Sequence, residues 1–92
     1  MDTFNFTGVV VKEDQGFSSV CLELDVASQG ESVAEAKTML LEAAALHLEG
    51  AFEDGLPFLR PVPPEADPLR VMPEQVVETF NFRVSVAVQA YA

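Results

Sequence analysis

Apolar and polar positions alternate along residues 4–11: Phe4, Phe6, Gly8 and Val10 fall on one side of an extended chain, and Asn5, Thr7, Val9 and Val11 on the other. The spacing predicts a strand over about 4–12. Glu13-Asp14-Gln15-Gly16 then interrupts it with a charged turn whose glycine tolerates positive φ. Val20, Leu22 and Leu24 alternate against Phe17, Ser19 and Cys21, which predicts a second strand over 17–24 and a hairpin with the first. Val26-Ala27-Ser28-Gln29 reads as a short third strand over 26–29, ended by Gly30, where a sharp turn is expected.

The period then changes. Ser32 followed by Glu35 is a capping box. A helix is expected over 33–53, with Gly55 as its stop. At roughly 100° per residue, Val33, Ala36, Leu40, Ala44, Leu48 and Ala51 form one stripe, while Glu35, Glu42, Glu49 and Glu53 lie opposite. Every proline lies within 57–73, so 54–73 reads as an extended connection, with a short helical turn allowed after Pro73. Alternation returns over 80–91: Phe80, Phe82, Val84, Val86 and Val88 face one way. Thr3-Phe4-Asn5-Phe6 recurs as Thr79-Phe80-Asn81-Phe82, a match short enough to be chance. The predicted order is β-β-β-α-β, a single α+β domain over 1–92 with a mostly antiparallel sheet and one long helix on one face. One helix leaves the second face of such a sheet uncovered. Self-association to a dimer or tetramer is therefore expected, with Phe80, Phe82, Val84 and Val86 as the interface.

Charge narrows the partners. Five Lys and Arg stand against 15 Asp and Glu, a net charge of −10. Phosphate neutralisation needs a basic patch, so direct nucleic-acid binding is not expected, nor is contact with an anionic membrane. A basic protein is the natural complement. One cysteine excludes an internal disulfide, and no Cys–His set has zinc spacing. The first residues carry no basic and apolar signal segment, which points to the cytoplasm.

The stretch Gly16-Phe17-Ser18-Ser19-Val20-Cys21-Leu22-Glu23-Leu24-Asp25, continuing through Ser28-Gln29-Gly30-Glu31-Ser32 to Glu35-Ala36, resembles the HicB family of bacterial antitoxins. Leu46-His47-Leu48-Glu49 matches that family's pattern late in the helix, and the resemblance covers about 4–60. It implies a partial RNase H-like fold, with the last strand beside the first. It also implies a partner: a small, basic, HicA-like RNA-cleaving toxin whose active site the antitoxin covers. Two departures bear on function. Many members carry a DNA-binding domain after the fourth strand, whereas here the sequence stops at Ala92, which puts operon autoregulation in doubt; and their Leu-Pro-Gly-Cys turn is replaced by Leu24-Asp25-Val26-Ala27. The motif itself does structural work, ending a strand and capping a helix.

Catalysis finds little support. A nuclease on an RNase H-like fold needs a carboxylate in the centre of its first strand to hold metal, and 4–11 has none. His47, at the border of the apolar stripe, reads as a core-edge histidine rather than a general base, having no Ser or Cys beside it by local spacing. Cys21, in mid-strand, reads as a small core residue. The expected chain is thus no enzyme and uses no cofactor or metal. Its leading function is antitoxin-like binding through Glu35, Glu42, Glu49 and Glu53. The alternative is an orphan, self-associating HicB-like module without a toxin.

Overall fold

The structure, a computed structural model, describes residues 3–85 and 90–91. Its elements run β1 (Thr3–Lys12), β2 (Phe17–Cys21), β3 (Val26–Gly30), α1 (Val33–Asp54), α2 (Pro68–Val71), β4 (Val76–Ser85) and β5 (Ala90–Tyr91). Every neighbouring pair of strands is antiparallel, in the order β3-β2-β1-β4-β5. The fold is α+β: a four-stranded antiparallel sheet, extended by the two residues of β5, with one long helix on one face.

Both ends of α1 follow from its sequence. The Ser32 hydroxyl accepts the Glu35 N–H at 3.0 Å, and the Glu35 carboxylate accepts the N–H of Glu31 at 2.9 Å. At the other end Gly55 adopts φ 65°, and the Leu56 N–H bonds the Ala51 carbonyl, a Schellman-type stop that needs a residue at ease with left-handed backbone. Ala36, Leu40, Ala44, Leu48 and Ala51 are buried against the sheet, as the stripe predicts; Val33 is only half-buried.

Beneath the helix lie Phe6, Cys21, Leu24, Phe82 and Val84. Gly8, midway along β1, has a packing duty: a Cβ there would strike the Phe80 ring and stand 3.1 Å from a Leu40 methyl. A separate aromatic triangle, Phe4, Phe52 and Phe58, closes the end of the core near the helix C-terminus.

Several expectations change. β2 ends at Cys21 rather than residue 24, because the Asp25 N–H returns to the Cys21 carbonyl and Asp25 takes φ 52°. Asp tolerates that conformation better than most residues, and the turn drops Leu24 into the core. β3 includes Gly30, which is not a turn residue. Its missing side chain admits the helix, since a Cβ there would lie 2.5 Å from the Ala36 nitrogen. β4 begins at Val76, before the predicted residue 80; a register shift opposite Val10 and Val11 breaks the alternation that would have marked its start.

The proline-rich connection is not a loose extended link either. The Arg60 and Val62 N–H groups bond the carbonyls of Glu23 and Leu22, at 3.0 and 2.8 Å. The chain then folds through a 3-10 turn (Pro64–Ala66), α2 and a second 3-10 turn (Pro73–Gln75). Asp67 caps α2 by accepting the Leu69 N–H, and Pro68 is buried. Val62, Pro68 and Met72 meet Val11 and Val20 across a small hollow. Val9 and Val11, which point away from α1, are thereby buried. The second face is therefore half covered, and its remainder, with Asn5, Thr79, Asn81 and Arg83 exposed, is polar. Among the described residues, then, the second face is not left uncovered as one helix alone predicts.

Candidate functional site

The outer face of α1 carries the acidic row. Glu42, Glu49 and Glu53 are exposed, and the helical rise spreads them over roughly 16 Å of one line. Leu46 lies in the same row and is 67% exposed; Met39, two turns earlier, is 40% exposed. Among the described residues the one ion pair joins Lys37 to Glu78, so these glutamates have no cation of their own. The arrangement is an apolar side chain flanked along the helix by carboxylates, which suits a basic protein surface.

Glu35 falls in line with them but differs in role. Its carboxylate is engaged with the Glu31 N–H, so altering it would disturb the helix start as well as any docking. The predicted oligomer residues fare worse. Phe82 and Val84 are buried under α1, and Phe80 is half-buried with the Lys37 ammonium 4.8 Å from its ring centroid. Phe82 and Val84 belong to the chain's own core and are not available as an interface; Val86 lies outside the described residues.

His47 sits at the helix's half-buried edge, where Nε2 lies 3.1 Å from the Phe58 carbonyl and must donate to it. Its contact pins the connection to α1. Cys21 is fully buried, and desolvation pushes its thiol up to about 12. Such a thiol stays protonated and unreactive.

Two side chains that the sequence does not single out hold the site's frame. Glu23, in the β2–β3 turn, accepts the Thr7 N–H and the Thr7 hydroxyl, each at 2.8 Å. Its carboxylate reaches the middle of β1 from a neighbouring turn, which a search of 4–11 misses. The signal was its place one residue after Leu22, whose N–H bonds the Thr7 carbonyl once the hairpin is folded. Lys37 ties α1 to β4 through Glu78 and Phe80; as the lone cation of the helix, beside its apolar stripe, it was findable.

Among the described residues no group of three or more His, Cys, Asp and Glu side chains is placed to hold a metal, and no helix is long and apolar enough to cross a membrane. No family model, characterised protein or solved structure matches this chain.

Proposed function

We propose that this chain is a binding module of the HicB antitoxin type, which neutralises a small basic HicA-like RNA-cleaving toxin by covering its active site. The observation that carries the reading is the row Glu42, Leu46, Glu49 and Glu53 on α1, exposed and without an ion-pair partner among the described residues. The net charge of −10 would steer a basic partner toward it. Leu46 would supply the desolvated centre and the carboxylates its polar rim. The antiparallel sheet with β4 beside β1 is compatible with the partial RNase H-like fold that the resemblance implies. Action is by occlusion, with no catalytic step and no cofactor, in the cytoplasm where such a toxin acts. The test is an RNA-cleavage assay with a purified HicA-like toxin: equimolar chain is expected to suppress cleavage, and undiminished cleavage at tenfold excess rejects the reading.

A second reading, a self-associating HicB-like module without a toxin, draws on a different observation. One edge of β4 is open over most of its length among the described residues.

A further inference from the structure

The ladder bonds determine which backbone groups of β4 face outward. The Leu22 N–H donates to the Thr7 carbonyl at 3.0 Å, and the Thr7 N–H points the same way, to Glu23. Antiparallel strands alternate the side to which successive residues turn their N–H and C=O. Odd-numbered residues of β1 therefore face β2, and even-numbered ones face β4. Phe6 is opposite Phe82 and Gly8 opposite Phe80, so the even residues of β4 bond β1. Thr79 and Asn81 turn their N–H and C=O to the other edge.

Among the described residues that edge is occupied only at Arg83 and Val84, by β5. The turn Pro73–Gln75 closes the strand's other end. Among the described residues nothing pairs with that edge over 76–82, and Thr79 is the middle of the stretch. Val76, Val77, Thr79, Phe80 and Phe82 are strong strand formers, and no proline or lysine blocks the edge. The register shift lies at the far end, opposite Val10 and Val11, and leaves Thr79 and Asn81 in regular pairing.

We propose that two copies of the chain join along this edge, β4 to β4 and antiparallel, with Thr79 on the two-fold axis; the proposal rests on the self-associating reading and is independent of any toxin. Charge selects a second copy in this register. Most of a −10 surface repels its own copy. About Thr79, however, Glu78 falls opposite Phe80 of the second copy, whose ring lies under Lys37. Each Glu78 then meets the other copy's Lys37 as well as its own, and the two ion pairs merge across the axis. Centring on Glu78 would set carboxylate against carboxylate. Centring on Phe80 would run Val77 into the place that β5 holds beside Arg83.

Sedimentation equilibrium at micromolar concentration is expected to give twice the 10.0 kDa chain mass. Thr79→Lys places two ammonium groups together on the axis and is expected to halve that mass with circular dichroism unchanged. Thr79→Cys probes the axis without relying on a loss. Directly opposed residues of this kind lie about 5.5 Å apart between Cα atoms, within disulfide range. Cys21 is buried, so mild oxidation is expected to give a covalent dimer in Thr79→Cys and none in Thr38→Cys on exposed α1. A wild-type monomer overturns self-association and the edge together. A dimer that survives in folded Thr79→Lys, or that fails to cross-link in Thr79→Cys, overturns the edge alone; where Thr79→Lys unfolds, cross-linking decides.

Discussion

Truncating Leu40 to alanine tests the packing that orients α1 and hence its acidic face. Leu40 is fully buried, with a methyl 3.1 Å from the point where a Gly8 Cβ would stand. Gly8 has no side chain to rise into a vacated space. Phe80, the other neighbour at that point, is held under the Lys37 ammonium. Losing three carbons at roughly 0.8 kcal/mol each removes about 2.4 kcal/mol of transfer free energy. A hollow that its walls cannot close adds a cavity contribution, so Leu40→Ala is expected to cost about 3–4 kcal/mol, near the middle of the usual range. Glu42→Ala, on the exposed side, should stay within about 0.5 kcal/mol of wild type. Urea denaturation with a common m-value measures both. Equal losses in the two variants, or a Leu40→Ala loss below about 1.5 kcal/mol, would refute the helix orientation.

Gly30→Ala forces a Cβ to within 2.5 Å of the Ala36 nitrogen, a backbone atom that cannot rotate away. A loss of about 1–3 kcal/mol in the same melt is expected, with faster amide exchange in the first turn of α1. Glu23→Ala strips the Thr7 N–H and hydroxyl of their acceptor and should lower stability by about 1–3 kcal/mol; no loss would mean that the clamp contributes nothing. Cys21, raised from 9.0 to about 12 by burial, keeps its proton in the fold when the unfolded chain has lost it. Its contribution is therefore complete below pH 9.0 and declines as pH climbs toward 12, and Cys21→Ala should flatten that part of the stability curve. A native thiol labelled as fast as the unfolded one at pH 8 would contradict the burial.

Periodicity carried much of the fold. The buried stripe of α1, its Ser32 cap and its Gly55 stop all follow from local spacing, and so does the hairpin at Gly16, where φ is 84°. Local spacing could not show what depends on the folded sheet. The start of β4 was hidden because one extra residue opposite Val10 and Val11 puts the alternation out of phase. The placement of the proline-rich connection depends on bonds to Leu22 and Glu23, some forty residues back, which no short window contains. That error propagated: a second face thought bare suggested Phe82 and Val84 as an interface, although their alternation equally fits the face beneath α1 that they occupy. The acidic row was legible because helical spacing separates it from the apolar stripe, but the capping bond that sets Glu35 apart from Glu42, Glu49 and Glu53 was only half visible.

The docking claim is tested most directly by association kinetics on an immobilised HicA-like toxin, at low and at moderate salt. The variant replaces Glu42, Glu49 and Glu53 together by Lys and spares Glu35, whose carboxylate serves the helix start. These positions are exposed, so the fold should hold. Charges at the rim of an interface act mainly on encounter, and salt screens them within about 10 Å at 0.1 M. The account predicts that wild-type association slows as salt rises, and that the triple variant associates at least tenfold more slowly at low salt and loses most of that dependence. Equal association rates for the two proteins at both salts would contradict it, leaving the glutamates of α1 as a solvated face.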